Sequence, residues 1–150
     1  MMETDVRFFV GVKALIKNKR GQFLLLKSGP LELKSTKRKT PFWDLPGGKI
    51  RIGELDATKT LIREVVEELG VKRGAIKVRR LMDASVSRFK IQHGKRIPLF
   101  LVTFECTMNA RTFKLTDEHE RFSWVPRQKA AELLSIKFNR SFVDKLKKDV

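Results

Sequence analysis

The sequence lacks tyrosine and carries a single cysteine among its 150 residues. One thiol, Cys106, excludes an intrachain disulfide framework and is typical of a reducing compartment. No run approaches the roughly 20 apolar residues that a membrane-spanning helix needs. The first residues also lack the uninterrupted apolar region of a signal peptide. We therefore expect a cytoplasmic protein with no membrane partner.

Acidic residues are few, with 17 Asp and Glu against 33 Lys and Arg, so the formal net charge is +16. Such an excess favours negatively charged partners, among them nucleic acid. The acidic residues are unevenly spread, because the window from Gly48 to Val71 holds five of them against four basic residues. An acidic segment in a basic chain is the first feature that needs a functional explanation.

The length and the 41% of hydrophobic residues predict one globular domain spanning 1–150. The hydrophobic pattern predicts strands alternating with helices, which favours a mixed α/β layer architecture. We expect a hairpin of strands 7–16 and 22–27, joined at the turn signal Asn-Lys-Arg-Gly. We expect a break at Gly29-Pro30 with a basic loop within 28–41, and a helix over 55–69 that ends at Gly70. Further along, we expect a strand over 75–90, a turn at 92–96, a return strand over 97–107, a short strand at 122–125, and helices over 126–134 and 138–147.

Three glutamates of the predicted helix share one face. Glu64, Glu67 and Glu68 are spaced by three and four residues, which places their carboxylates side by side. Like charges at that spacing cost roughly 0.2–0.5 kcal/mol per pair in an isolated helix. A hard divalent cation such as Mg²⁺ or Mn²⁺ would reverse that cost, because it binds clustered carboxylate oxygens. The alternative is an ordinary solvated helix face.

The residues around these glutamates resemble the Nudix box, written G-x5-E-x7-R-E-U-x-E-E-x-G-U with U aliphatic. The matching residues are Gly48, Glu54 and the run from Arg63 to Val71, over 24 residues. The preceding Trp-Asp-Leu-Pro-Gly-Gly and a later Glu-His-x4-Trp-Val-Pro segment are also similar to the family. One departure stands out, since eight residues separate Glu54 from Arg63 where the family has seven.

The resemblance implies a Nudix-type α/β/α sandwich with a mixed β-sheet. It also implies a Mg²⁺- or Mn²⁺-dependent hydrolase of nucleoside diphosphates linked to another moiety. On this reading the metal ligands are Glu64, Glu67, Glu68 and the carbonyl of Gly48, while Arg63 orients a glutamate and Glu54 supports the loop. Water would attack a phosphorus of the pyrophosphate, with a carboxylate taking the proton.

Which carboxylate acts as the base is left open by the family, because relatives use either a box glutamate or a glutamate on a distant loop. The distant candidate here is Glu118, favoured over Glu120; the alternative is a solvated acidic turn. For the substrate we expect contacts from Trp43, whose ring could stack on a base, and from Gly47 and Lys49.

Family markers downstream of the box narrow the substrate. Position 86 is Val86 rather than the proline of many ADP-ribose hydrolases, and the chain lacks the tyrosine of many dinucleoside polyphosphate hydrolases. The Ser-Gln-Pro-Trp-Pro-Phe signature of NADH hydrolases is also missing. These absences favour a MutT-like enzyme that cleaves nucleoside triphosphates to monophosphate and pyrophosphate.

Two alternatives remain at the level of sequence. One is a pyrophosphohydrolase of RNA 5′ ends, in which the basic loop 34–39 grips the chain. The other is a non-catalytic RNA- or nucleotide-binding module, which the three intact glutamates argue against. The oligomeric state, monomer or homodimer, has no decisive signal.

Overall fold

The computed structural model describes residues 5–110, 112–116 and 119–148, with only the backbone of Glu120. Its helices and strands follow the chain in this order: β1 (Phe9–Ile16), β2 (Phe23–Ser28), α1 (Pro30–Thr36), β3 (Trp43–Asp44), β4 (Gly47–Lys49), α2 (Ala57–Leu69), β5 (Ile76–His93), β6 (Lys95–Met108), β7 (His119–Val125), α3 (Arg127–Leu134) and α4 (Arg140–Lys148). A short 3₁₀ turn, Arg73–Ala75, leads into β5. Among the described residues, none of the helices is both long and apolar enough to cross a membrane.

The strands form two sheets. A four-stranded sheet has the order β4-β1-β6-β5, and a three-stranded sheet has the order β3-β2-β7. The larger sheet is mixed, because β1 runs parallel to β6 and antiparallel to β4. A parallel pair needs a crossover connection, and here most of the intervening chain, α2 included, supplies it.

The first two strands do not form the predicted hairpin. They belong to different sheets and share only the isolated bridge between Lys17 and Phe23. The turn signal Asn-Lys-Arg-Gly is real, since Gly21 adopts a φ of +77° and its N–H donates to Asn18. A local turn reverses the chain, but it does not decide which strands pair.

Alternation along β1 divides the interior into two cores. Val12, Ala14 and Ile16 face the α2 core, which contains the apolar stripe of that helix: Leu61, Val65 and Leu69. Leu15 faces the α3–α4 core, which contains Leu134, Phe138, Phe142 and Leu146. Helices therefore cover both faces of the mixed sheet, which confirms the predicted α/β/α sandwich.

The segment predicted as a basic loop contains a helix. Pro30 was interpreted as a break, but it occupies the first turn of α1, where its missing N–H costs nothing. The helix ends at Lys37, which adopts a left-handed φ of +55°. Lys34 therefore lies within α1, and only 37–39 continue as exposed chain.

Helix α2 begins and ends with strong capping residues. The Asp56 side chain accepts from the N–H groups of Thr58 and Lys59, and Gly70 closes the helix with a left-handed φ of +65°. Helix α2 thus begins two residues later than the predicted helix over 55–69. The caps hold α2 in the position that presents its glutamates.

Candidate active site

A cleft of about 470 Å³ crosses the four-stranded sheet. At the β4 side it is lined by Gly47 and Gly48 and by the three glutamates of α2, and we call this the carboxylate end. On the other side of β1 lies the sheet end, lined by Gly11, Leu31, Glu32, Ser35, Ile91, Leu99, Leu101 and Lys137. The cleft therefore joins an acidic region to a largely apolar one.

The two glycines of β4 allow the carboxylate end to be compact. Gly47 has a φ of +147°, and a Cβ added there would lie 1.9 Å from the carbonyl oxygen of Val12. At Gly48 an added Cβ would lie 2.3 Å from the carboxyl group of Glu64. Only glycine brings the β4 backbone this close to β1 and to α2.

Arg63 holds the carboxylates together. Its Nε and Nη2 donate to the two oxygens of Glu54 at 2.9 and 3.0 Å, which is a bidentate pair. Its Nη1 lies 3.0 Å from Glu64 Oε1 and 3.2 Å from Glu67 Oε2. The hydrogen bonds from Arg63 lower the pKa of Glu54 to about 2, although this carboxylate is on the surface. Both Arg63 and Glu54 are therefore charged at neutral pH.

Glu68 is the buried member of the cluster, with 4% of its surface exposed. Its Oε1 accepts a hydrogen bond of 2.9 Å from the N–H of Gly47. Its charge also helps to raise the pKa of the buried Lys13, which burial alone would lower. A carboxylate held by a backbone N–H and a nearby ammonium is fixed in place.

Lys13 and Lys137 form a buried charge cluster with Asp44. The two ammonium groups donate to the same Oδ2 atom of Asp44, at 3.0 and 2.5 Å. Burial would raise the pKa of Asp44, but the two lysines outweigh it and hold that pKa well below its ordinary range. Burial lowers the pKa of Lys137 more than Asp44 raises it. The buried Glu68 also acts on Lys13, so two ammonium groups and two carboxylates are buried together at the cleft.

His119, the first residue of β7, completes the wall beside Glu68. It is 6% exposed, and its Nδ1 lies 3.5 Å from Glu68 Oε2. Burial lowers its pKa, which favours the neutral ring. The Nδ1 atom has no hydrogen-bond partner among the described residues. It is thus a polar atom available beside a candidate metal ligand.

The oxygen-rich carboxylate end fits a hard divalent cation. Carboxylates and backbone carbonyls are the ligands that Mg²⁺ and Mn²⁺ prefer. The Glu64 carboxyl group occupies the space where a side chain at Gly48 would stand, so its oxygens lie against the β4 backbone. In the part of the chain that the structure describes, no three acidic, His or Cys side chains already converge as a metal cluster. Glu67 is the exposed member of the three glutamates and is paired with Arg63.

Most residues predicted for the site lie together. Gly47, Gly48, Lys49, Glu64, Glu67 and Glu68 all line the cleft, and Arg63 contacts Glu64 and Glu67 from beside it. Trp43, which is predicted to contact the substrate, is not among the residues that line the cleft. Adjacent residues of a strand point in opposite directions, so Asp44 faces the cleft cluster while Trp43 packs on the α3–α4 core near Arg121.

The predicted distant base lies outside this description. Glu118 is not among the described residues, and of Glu120 only the position within β7 is described.

The sequence interpretation missed the residues that shape the other half of the cleft: Lys13, Glu32, Asp44, His119 and Lys137. One signal was present, because Lys13 interrupts the apolar strand Phe9–Ile16 at an inward-facing position. A lysine there must find a partner. That partner, Asp44, is 31 residues away, and no periodicity connects the two.

Comparison with known proteins places the chain in a family. The NUDIX domain model matches residues 7–146. The MutT protein from Methanosarcina mazei Go1 superposes with a TM-score of 0.69 at 26% identity, covering 97% of this chain and 95% of that one. No curated protein sequence matches the chain.

Two more distant structures share the fold. A C. elegans Ap4A hydrolase has a TM-score of 0.70 at 19% identity, with 93% of each chain covered. A MutT NUDIX hydrolase from Burkholderia pseudomallei has a TM-score of 0.64 at 21% identity, covering 96% of this chain and 99% of that one.

The chain belongs to the NUDIX domain family. It is accordingly a hydrolase that acts on the pyrophosphate bonds of nucleoside diphosphate derivatives.

Proposed function

We propose that this hydrolase cleaves nucleoside triphosphates to the monophosphate and pyrophosphate, with Mg²⁺ or Mn²⁺ as cofactor. The observation that carries the proposal is the cleft itself, which joins three carboxylates to an apolar floor wide enough for a base. Three inter-strand spacings, roughly 14 Å, separate β4 from β5. A nucleotide would thus place its phosphates at the carboxylate end and its base at the sheet end.

Glu64, Glu67, Glu68 and the carbonyl of Gly48 are the residues proposed to hold the metal. A divalent cation bound there would neutralise charge on the phosphate oxygens and would lower the pKa of an attacking water. The chain holds these proposed ligands in position, since Gly47 fixes Glu68 and Arg63 fixes Glu64. Lys49 and the N–H groups near Gly47 are proposed to contact the substrate phosphates.

Proton removal from the attacking water needs a carboxylate that is free to move. Glu67 is the candidate at the described site, because half of its side chain is exposed and its recorded partner is Arg63. Glu118 remains the second candidate. Either would act as general base, a role worth about 10²- to 10⁴-fold in rate.

The test is product analysis after incubation with Mg²⁺ and a panel of substrates: nucleoside triphosphates, ADP-ribose, dinucleoside polyphosphates and 5′-triphosphate RNA. We expect monophosphate and pyrophosphate from the triphosphates, and no turnover in EDTA. Glu67→Gln and Glu68→Gln should each lower kcat/KM at least about 100-fold. Glu132→Gln, on the exposed face of α3, is the matched control and should match the wild type. Turnover of none of these substrates, or full activity of both variants, would contradict the proposal.

A second candidate substrate is the 5′ end of RNA. Helix α1 lines the cleft through Glu32 and Ser35, and the exposed Lys37, Arg38 and Lys39 follow its last turn. Arg38 lies 4.6 Å from the Phe89 ring centroid, so this basic segment rests against β5. A chain that left the cleft over α1 would pass these charges.

Salt dependence of RNA affinity tests that candidate. If the segment binds phosphates, Lys37→Ala, Arg38→Ala and Lys39→Ala together should lower the slope of log K against log salt by about 2. Lys19→Ala, Lys72→Ala and Lys95→Ala remove the same number of charges elsewhere and should change it less. Equal effects of the two triple variants would leave only nonspecific attraction to a basic protein.

We further propose that residues 1–150 act as one domain. We also propose the cytoplasm as its compartment, because the buried Cys106 has no disulfide partner within the described chain. Sedimentation would distinguish monomer from homodimer.

A further inference from the structure

The sheet end of the cleft has a flat apolar floor. Leu99 and Leu101 of β6 and Ile91 of β5 are all at least nine-tenths buried. Gly11 of β1 lies opposite Leu101, and a Cβ added there would come within 3.0 Å of a Leu101 methyl group. The missing side chain leaves room above the β1–β6 pair. A floor of this kind suits the face of a planar ring.

Two buried ammonium groups border that floor. Both Lys13 and Lys137 line the cleft, and each donates to Asp44 Oδ2. An ammonium has three N–H groups. In the described structure Lys13 uses a second one on the Leu45 carbonyl, and the bond to Asp44 is the hydrogen bond recorded for Lys137. Donors therefore remain for an acceptor in the cleft.

The position of Lys137 is fixed from two sides. Its carbonyl accepts hydrogen bonds from the Arg88 N–H and the Ser87 hydroxyl of β5, at 2.8 and 2.9 Å. Its ammonium reaches Asp44 of β3. The side chain thus extends from the β5 side of the sheet towards Lys13, over the sheet end of the cleft.

Glu32 supplies an acceptor at the same end of the cleft. It lies on α1, is half-buried and lines the same end of the cleft. Its carboxylate has no recorded hydrogen bond to any described residue. Glu32 lines the same cleft as the two ammonium groups, and its charge helps to raise the pKa of Lys13 and opposes the lowering of the pKa of Lys137 by burial.

Ammonium donors and a carboxylate acceptor at the same end of the cleft match a ring edge that carries a carbonyl beside an N–H. We propose that the sheet end selects nucleobases with such a lactam edge, Lys13 and Lys137 donating to the ring carbonyl and Glu32 accepting from the ring N–H. Guanine, hypoxanthine and uracil carry this edge. Adenine and cytosine place an amino group where the carbonyl would be, and so face the lysines with a donor. The inference rests on the proposed hydrolysis of nucleoside triphosphates.

A phosphate is a poorer occupant of the sheet end. Its negative charge would approach Glu32 and Asp44, and its oxygens would contact Leu99 and Leu101. Apolar walls with a few placed polar groups are typical of sites for an aromatic ligand rather than for an anion.

The experiment compares kcat/KM for GTP, UTP, ATP and CTP with Mg²⁺, and the affinity of the four monophosphates by calorimetry without metal. We expect GTP and UTP to exceed ATP and CTP by roughly 10- to 100-fold. Glu32→Gln lies on a half-exposed helix face and should fold. Because an amide can donate as well as accept, this variant should reduce the preference to a few-fold. Glu132→Gln should keep the wild-type ratio.

Lys137→Met separates base recognition from phosphate binding. Removing Lys137 leaves Asp44 paired with Lys13, so no buried carboxylate loses its last cationic partner. We expect a loss at least 10-fold larger for GTP than for ATP. An equal loss of kcat/KM for all four nucleotides would assign the lysines to phosphate binding and overturn the proposal. Wild-type kcat/KM values that differ by less than threefold among the four nucleotides would overturn it as well.

The two proposals fail in different ways. If no triphosphate is hydrolysed but the monophosphates bind with the expected preference, the hydrolysis proposal fails and base selection stands. If all four triphosphates are hydrolysed at similar rates, base selection fails and the hydrolysis proposal stands.

Discussion

Asp44 balances the buried charges of the cleft. Its one Oδ2 atom accepts from both Lys13 and Lys137, while Oδ1 accepts from the Leu45 N–H at 2.7 Å. A buried carboxylate of this kind is tolerated because both of its oxygens accept hydrogen bonds and two of the donors are charged. Without it, two ammonium groups would be buried side by side.

We predict that Asp44→Asn lowers the free energy of unfolding by about 3–5 kcal/mol, because it leaves unpaired buried charges. Urea denaturation measures the change. The control is Asp144→Asn, whose pair with Arg140 is exposed and is worth less than about 1 kcal/mol. A cost for Asp44→Asn as small as that of the control would mean that solvent reaches the lysines.

The difference in unfolding free energy between the wild type and Asp44→Asn should depend on pH with a defined sign. Since the folded pKa of Asp44 lies below the ordinary value of 3.8, the stabilisation is complete above that value. It is lost as the pH falls from there through the folded pKa. The gap between wild type and Asp44→Asn should accordingly shrink only in strongly acidic solution.

Alanine substitutions at the neighbouring Gly47 and Gly48 should affect stability and activity differently. Gly47→Ala combines a disallowed φ with a clash against the Val12 carbonyl, so we expect a loss of roughly 2–5 kcal/mol in stability. Gly53→Ala is the control, since φ is +91° there but no atom lies within 4 Å of the added Cβ. It should cost only the backbone strain, about 1 kcal/mol.

For Gly48→Ala we expect the opposite balance. The clashing atoms belong to the end of the Glu64 side chain, which can move, so the free energy of unfolding should fall by less than about 1.5 kcal/mol. Displacing Glu64 should nevertheless lower kcat/KM more than tenfold. Urea denaturation and steady-state kinetics on the same preparations separate the two effects. Unaltered kinetics would remove Glu64 from the site.

At the scale of elements, α2 was the most predictable part of the chain. Its apolar stripe and its Gly70 cap are local signals, and the structure has both. Of the eight residues between Glu54 and Arg63, Leu55 and Asp56 precede α2 and the other six form its first turns. The bidentate bond between Glu54 and Arg63 is still made. The additional residue is therefore accommodated without loss of that contact.

We predict that Asp56→Ala lowers the free energy of unfolding by about 1 kcal/mol, because the N–H groups of Thr58 and Lys59 lose their acceptor. Thermal denaturation should show a fall of about 2–4 °C. Asp144→Ala, within α4 and not at a cap, should shift the midpoint less. A shift no larger than that of Asp144→Ala would mean that solvent replaces the cap.

Two elements were mispredicted for different reasons. Helix α1 was missed because Gly29-Pro30 was interpreted only as a break, although proline is also compatible with a first turn. The β1–β2 hairpin was wrong because β1 pairs instead with β4 and β6, whose residues are far away in sequence. Strand partners depend on the whole sheet, whereas turns depend on four residues.

For the whole molecule, the +16 charge is distributed around an acidic centre. Such a charge destabilises the compact state by self-repulsion. Buried pairs such as Asp44 with Lys13 are little affected by salt, but exposed charges are screened over about 10 Å at 0.1 M. The balance of the two should be visible in the melting temperature.

We predict that the melting temperature rises when NaCl is raised from 10 to 150 mM, because screening relieves the repulsion among surface lysines and arginines. Replacing the exposed Lys19, Lys72 and Lys95 with Glu lowers the net charge from +16 by six. This variant should show a smaller rise. A fall in melting temperature with salt would mean that attractive ion pairs, not repulsion, dominate the surface.

The sequence by itself determined the family, the helix that carries the carboxylates and the glycines beside them, because those signals are local in spacing and residue type. Only the tertiary structure decided that Lys13, Asp44 and Lys137 share one buried cluster, and that α1 faces it with Glu32. Lys137 and Asp44 are 93 residues apart. Burial makes such charges pair, but which ones meet depends on how the sheet assembles.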